Sequence, residues 1–466
     1  MNKKFVSVLL AIVLVASLLS SCGEDKITEP QPPPDLLVRL NSLPGVTATE
    51  IDPPSGTFHT RAFEIDIAQP IDHDNPAMET FNQRVYLLHF GEPAPMVLET
   101  SGYAMSYGRV SEVTELLRAN QLFVSHRYVG NSRPDQPDWE YLTVAQAAAD
   151  HHHIVELFKQ IYTGQWVSTG RSKGGQASLY HRRFYPDDVA VTLAMVAPIV
   201  YGTEDPRFDV FLNEIVSDSI CREKIRQYQI RCLQERDSLL PYLEHYADTS
   251  WLTFTITMDS ALEYAVLEFP FAFFQAGTGD CADVPDSNSS YREMFEALMT
   301  FSSIVLFSDE YCDYYCPVYY QIYTELGYYR LITDHLHDLL EALPDPTYAR
   351  FGPPGVEMVY RPEVVQDLAQ WLRTEGDSII YVYGAVDPWS AAAVELGGDV
   401  EALFVMEPGA NHSVQILTLS NPEPVYEKLE SWLGIEVQRL AKPPDQHTLP
   451  PIRDLSRITP PLGTAE

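Results

Sequence analysis

Positive charge is what this chain has least of. In 466 residues, 31 Lys and Arg stand against 65 Asp and Glu, a formal net charge of −34. Tight nucleic-acid binding depends on neutralising phosphates with basic side chains, so this surface excludes that role and disfavours docking on anionic headgroups. Cysteine is scarce, with 6 in all, and neither Cys221 with Cys232 nor Cys312 with Cys316 has the close spacing and nearby histidines of a structural zinc site. Long apolar runs are also missing. The main one, Phe5 to Leu19, is 15 residues long, short of the ~20 that span a bilayer as a helix. The 11% aromatic content excludes a disordered chain.

That apolar run follows Asn2-Lys3-Lys4 and ends in Leu19-Ser20-Ser21-Cys22. A basic start, an apolar stretch and a small-residue cleavage site make an export signal, and this ending resembles a lipobox, in which cleavage before Cys22 frees its thiol and amine for acylation. Gly23-Glu24-Asp25 resembles the acidic tag of some surface lipoproteins. Residues 1–21 are expected to be the signal peptide. Residues 22–45 would be an anchored spacer stiffened by Glu29 to Pro34. The expected location is outside the inner membrane, tethered to lipid through Cys22, on the periplasmic or cell-surface face.

The other five cysteines lie between Cys221 and Cys316. In an oxidising compartment disulfides are the default, and Cys221 with Cys232 closes the shortest loop, leaving an odd thiol elsewhere. His151-His152-His153 invites a metal reading, but consecutive helical residues point about 100° apart and do not converge on one ion. No metal or cofactor is expected.

Strand and helix patterns alternate along much of the chain. Phe63–Ile67, Val85–Phe90, Met96–Leu98, Leu122–Ser125, Trp166–Thr169 and Val191–Val196 read as strands, with helices over Val144–Tyr162 and Gly175–Tyr185. Strands resume at Ser378–Tyr383 and Ala402–Met406, and an amphipathic helix over Glu423–Leu433 closes the pattern. Such alternation predicts a parallel sheet with helices on both faces. Between about Pro206 and Leu343 it gives way to helical periods, acidic turns and aromatics. The expected organisation is a sheet domain over 46–205 and 346–440, interrupted by a helical cap over 206–345, with a Pro-rich tail over 441–466.

Gly170-Arg171-Ser172-Lys173-Gly174 fits G-x-S-x-G, and it falls between a strand and a helix. This is the context of a nucleophile elbow, in which a sharp turn lifts the serine hydroxyl above the sheet. The fold class is therefore an α/β-hydrolase with an inserted, mainly helical cap. The Lys173 amide, at the helix start, faces a developing oxyanion, and the Tyr103 amide, in the loop after Met96–Leu98, is expected to be the second donor. Acid and base follow the serine in the order Asp then His. Past the cap only His412 and His447 remain, and His447 lies in the tail, so His412 is the base. Asp387, which follows the strand Ser378–Tyr383 through Gly384-Ala385-Val386, is chosen over Asp377 and Asp399, with a turn-forming role before Pro388 as its alternative.

Several blocks resemble a peptidase family. Gln69 to His73, Phe81 to Tyr86 and Ser125 to Pro134 are similar to segments of the Pro-Xaa carboxypeptidase and dipeptidyl-peptidase II group. Gly170 to Gly175, continuing through Tyr180 to Asp188, looks closer to the bacterial prolyl tri/tetrapeptidyl aminopeptidases, as do Glu268 to Phe273 and Thr324 to Tyr328. The resemblance runs from about Phe63 to His412. It implies a serine exopeptidase that removes short peptides from free N-termini, commonly after proline. Glu204 and Asp205 are candidates for binding the substrate amine, or equally for capping a helix. Phe269, Phe271 and Phe273 are candidates for walls around a proline ring, or for cap core. An esterase or lipase on the same triad is the rival enzyme; an inert surface lipoprotein that binds peptides is the rival outside enzymology.

Overall fold

The computed structural model describes residues 34–277 and 280–441. The expected signal peptide, Cys22, His447 and nearly all of the Pro-rich tail lie outside the described residues. A sheet of nine strands organises the rest: β1 (Val46–Ile51), β2 (Arg61–Pro70), β3 (Thr80–His89), β4 (Met96–Thr100), β5 (Asn120–Val124), β6 (Trp166–Arg171), β7 (Val191–Met195), β8 (Ile379–Gly384) and β9 (Ala402–Glu407). Their order is β1-β2-β3-β5-β4-β6-β7-β8-β9. The pairings among β1, β2, β3 and β5 are antiparallel, and those from β5 through β9 are parallel.

Every residue of β4, β5, β7 and β8 is buried, as a parallel strand covered on both faces requires. Helices Val144–Phe158, Lys173–Phe184 and Pro362–Thr374 cover one face, and their Phe158, Leu179 and Leu372 pack into the sheet. Helices Glu112–Leu117 and Glu423–Leu433 cover the other, through Leu116 and Leu429. The parallel order, the elbow after β6 and the acid and histidine loops after β8 and β9 make this an α/β-hydrolase fold.

The structure changes the expected spacer. Asp35 caps a helix over Leu36–Leu40, and Leu36, Leu40 and Leu43 are buried in the core beside β1. Residues 34–45 are therefore part of the folded body. From Leu36 on, leucines at helical spacing build the packed helix.

Between β7 and β8 the chain is helical, with Ser219–Gln234, Arg236–Ser250, Met258–Ala276 and Asp309–Gln321 as its longest elements. It has a core of its own, including Leu239, Leu243, Tyr264 and Phe273. Three of these helices contain proline, Pro241, Pro270 and Pro317, which cannot donate to the carbonyl four residues earlier. Two of the stranded carbonyls are met from outside: Gln229 Nε2 donates to Val266 O at 2.7 Å opposite Pro270, and Arg133 Nη1 donates to Asp313 O at 3.1 Å opposite Pro317. The second bond ties the helical segment to the loop after β5.

The disulfide links Cys221 to Cys281, 60 residues apart, and Cys232 is a buried free thiol. The expected Cys221–Cys232 bridge fails because both residues lie on the helix Ser219–Gln234, where eleven positions are about 16 Å of rise. Closing a loop of this size contributes about 4 kcal/mol by the chain-entropy estimate. Replacing Cys221 and Cys281 together by serine should therefore lower the denaturation midpoint, and replacing Cys232 should leave the bridge intact by non-reducing peptide mapping. A Cys221–Cys232 peptide in that map would contradict the structure.

Candidate active site

Ser172 sits at the end of β6 with φ 56° and ψ −126°, a backbone conformation that costs a non-glycine residue about 1–3 kcal/mol and persists only where its surroundings enforce it. Here the enforcement is visible. The Ser172 N–H donates to Met195 O on β7 at 2.9 Å. A Cβ at Gly170 would stand 2.2 Å from Gly174 O, and one at Gly174 would stand 2.5 Å from Thr100 O. The turn is so tight that both flanking positions require glycine. Although Ser172 is the N-cap of the helix Lys173–Phe184, its side chain makes no capping bond, which leaves the hydroxyl for other work.

His412, in the loop after β9, is 1% exposed, and its Nδ1 lies 2.7 Å from Asp387 Oδ2, itself fully buried after β8. With Nδ1–H donating to that carboxylate, Nε2 carries the lone pair. Nε2 has no hydrogen-bond partner among the described residues. Asp387 also accepts the Trp389 N–H at 3.1 Å through Oδ1, so it caps the turn before Pro388 and holds the imidazole with its two oxygens.

The His412 loop is clamped from two sides. Arg171, the variable residue before Ser172, donates through Nη1 to His412 O and through Nη2 to Val414 O, both at 2.6 Å. Burial, its largest influence, holds this guanidinium down at about 10. The His412 N–H donates to Gln275 O at 3.1 Å, at the end of the helix Met258–Ala276, and Asn411 Nδ2 donates to Gly277 O at 3.0 Å. Sequence reasoning missed Arg171; its place inside the elbow was the available signal.

Tyr103 is in the site, but its expected role is corrected. Its N–H donates to Ser101 Oγ at 2.9 Å, which occupies the proposed oxyanion donor. Its phenol instead lines the same cavity as Ser172, and burial together with Tyr315 and Tyr314 pushes it above its usual range. The block Ser125 to Pro134 serves this loop: Ser125 Oγ accepts the Met105 N–H at 3.1 Å, and the His126 N–H donates to Tyr103 O at 3.0 Å. The Lys173 amide stands at the first helical position, where it has no intrahelical acceptor.

Ser172 and His412 open into a cavity of about 670 Å³, within the usual size for small-ligand sites. Its far walls come from the helical segment and are rich in tyrosine, including Tyr315, Tyr319, Tyr328 and Tyr348, with Trp389 beside His412.

Lys173 is almost fully buried here, with Nζ donating to Gly102 O at 3.1 Å. Burial lowers it to about 7, against a smaller opposing influence from Glu325. A lysine held low is protonated more readily unfolded than folded, so its burden on stability is full below pH 7 and fades as pH rises toward 10.5. Lys173→Met should raise the melting temperature, by more at pH 6 than at pH 9. A gain that is equal at both pH values would contradict the burial argument.

The family model of PS-10 peptidase S37 matches residues 29–445. The chain belongs to the peptidase S37 family. It is 32% identical to the prolyl tri/tetrapeptidyl aminopeptidase of Streptomyces mobaraensis over 95% of this chain and 94% of that one. It is also 28% identical to the lysosomal Pro-X carboxypeptidase of Bos taurus over 34% of this chain and 38% of that one. A solved proline iminopeptidase from Mycobacterium smegmatis is 12% identical, with a TM-score of 0.36 over 79% of this chain and 97% of that one. This S37 chain is a serine peptidase.

In this S37 peptidase the other expected substrate residues fall elsewhere. Glu204 is exposed and outside the cavity. Asp205 is buried in a bidentate pair with Arg207, with closest approach 2.6 Å, and accepts the Tyr201 and Arg207 N–H groups. Its carboxylate is held below its usual range by these bonds, although burial pushes the other way. Of the two readings, the structure places Asp205 at the start of a helix. Phe269, Phe271 and Phe273 are fully buried and also miss the cavity. Phe271 stacks at 3.8 Å on Tyr329, a cavity residue, so it supports the wall from behind, while Phe269 and Phe273 pack on one another and on Phe301 in the core of the helical segment. The three consecutive histidines diverge as helix geometry requires: His151 packs on the ring of His181, His152 reaches Asp188 and His153 reaches Gln69.

Proposed function

We propose that this serine peptidase releases tri- or tetrapeptides from free N-termini by cutting after proline, with Ser172 as nucleophile, His412 as general base and Asp387 as the group that orients the imidazole. The observation that carries the reading is the buried Asp387–His412 pair, whose unpartnered Nε2 faces the same tyrosine-walled cavity as the strained Ser172. The Streptomyces relative's printed activity supports the substrate class.

In the proposed reaction Ser172 Oγ attacks the carbonyl carbon after proline and its proton passes to His412 Nε2. The negative charge on the carbonyl oxygen meets the Lys173 N–H, with the Tyr103 phenol, which lines the same cavity, as the second donor. The C–N bond breaks as His412 returns the proton to the leaving amine. Water then attacks the acyl-enzyme, His412 takes a proton from it, and Ser172 is restored. Flat aromatic faces suit a proline ring beside the scissile bond.

We further read the chain as exported and lipid-anchored through Cys22, which the Cys221–Cys281 bridge supports as a mark of an oxidising compartment. Incubation with a mixed peptide library should yield products of three or four residues ending in proline, while short acyl esters turn over poorly. Preferred ester hydrolysis, or cleavage from the C-terminus, would overturn the reading.

A further inference from the structure

Only two of the carboxylates among the described residues line the cavity that holds Ser172: Glu99 and Glu268. Glu99 ends β4 beside the loop of Tyr103 and faces Arg109 at 3.5 Å. Glu268 sits across the cavity on the helix Met258–Ala276, 6% exposed. Tyr329 donates to both of its oxygens, at 2.9 and 2.7 Å, and Tyr348 donates to Oε2. These hydroxyls fix the orientation of the carboxylate. After burial, Glu268 is the next influence raising Tyr328, Tyr329 and Tyr348.

A carboxylate ringed by tyrosine faces has the chemistry that holds a cationic amine, since the carboxylate gives charge-assisted hydrogen bonds and the rings give cation–π contact. We propose that Glu268 receives the α-ammonium of the peptide substrate and so sets how many residues are released. The inference rests on the aminopeptidase reading above. It replaces Glu204, which is exposed outside the cavity, and Asp205, which pairs with Arg207.

The helix itself supplies a ruler. Glu268 precedes Gln275 by seven residues, about 10 Å of helical rise, and Gln275 O accepts the His412 N–H. An extended tripeptide also spans about 10 Å. With its amine on Glu268, its third carbonyl reaches the neighbourhood of His412 and Ser172.

The test compares kcat/KM for Ala-Ala-Pro-anilide and its N-acetyl form in the wild type, Glu268→Gln and Glu99→Gln. The wild type should favour the free amine by at least ~30-fold, equivalent to about 2 kcal/mol. Glu268→Gln, which keeps acceptor oxygen for the tyrosines, should lose that preference, chiefly by raising KM for the free amine, and should react with a fluorophosphonate at the wild-type rate. Glu99→Gln should retain it. An unchanged preference in Glu268→Gln, or its loss in Glu99→Gln, overturns Glu268 as anchor and leaves the aminopeptidase reading standing. No preference in the wild type overturns both. Should Glu268→Gln fail to fold, the wild type still decides: rates on free-amine anilides of two to six residues ending in proline should peak at three, and a flat profile overturns the ruler.

Discussion

Ser172→Ala should lower kcat on a proline peptide by on the order of 10³-fold or more while the protein remains folded. The hydroxyl makes no helix-capping bond, and the φ of 56° is enforced by Met195 O and by the two flanking glycines, not by the side chain. Its removal therefore takes away chemistry and leaves architecture. His412→Ala should lose a comparable factor, and His447→Ala little. Asp387→Asn adds a sharper test. Its amide would offer N–H where His412 Nδ1–H now donates, favouring the tautomer that protonates Nε2, and kcat should fall by about 10³- to 10⁴-fold. The losses should not add, since the three residues act as one unit. Near-normal turnover in Ser172→Ala would end the proposed mechanism.

The second large effect concerns folding. Arg127 is fully buried and pairs with the fully buried Asp150 through two bonds, at 2.7 and 2.8 Å. Its remaining donors reach Pro70 O, Ile71 O and Tyr141 O, and His73 Nε2 approaches Asp150 Oδ1 at 2.7 Å. Asp150 is held below its usual range by Arg127 and His73, against the upward push of burial. Arg127→Met would strand that carboxylate and leave three carbonyls without this donor, at a cost of about 3–5 kcal/mol. Since domains are stable by only about 5–15 kcal/mol, the variant should show a much lower urea midpoint or fail to accumulate. The double variant Arg127→Met with Asp150→Leu should recover part of the loss. A single variant as stable as the wild type would mean the pair is not closed as described.

This pair also shows what the sequence could and could not convey. The blocks Gln69 to His73, Phe81 to Tyr86 and Ser125 to Pro134 carried much of the family resemblance, yet Gln69, His73, Gln83 and Arg127 meet one another or Asp150. They mark the scaffold more than the chemistry. Strands β4 to β8 were legible because burial on both faces leaves mainly apolar runs, and the placement of Ser172, Asp387 and His412 after β6, β8 and β9 was legible because this fold fixes that order. The first strand was not: Val-Thr-Ala-Thr-Glu-Ile is half exposed at a sheet edge, so its pattern is weak. Disulfide pairing was hidden because Cys221 and Cys232 share one helix, which spacing alone does not reveal. Glu268, between Leu267 and Phe269, reads as one acid in an apolar helix; only the fold brings Tyr329 and Tyr348 to it from some sixty and eighty positions away. Asp205 misled similarly, because a loop acid looks free until Arg207, two residues on, turns back to pair with it, and Glu204 beside it is exposed outside the cavity.

The most direct measurement is peptide mapping of the wild-type protein after reaction with a fluorophosphonate, done with and without a proline peptide as competitor. The account predicts a single modified residue, Ser172, with labelling slowed by the competitor and abolished in His412→Ala. Modification of a different serine, or no modification of an enzyme that is turning over its substrate, would contradict it.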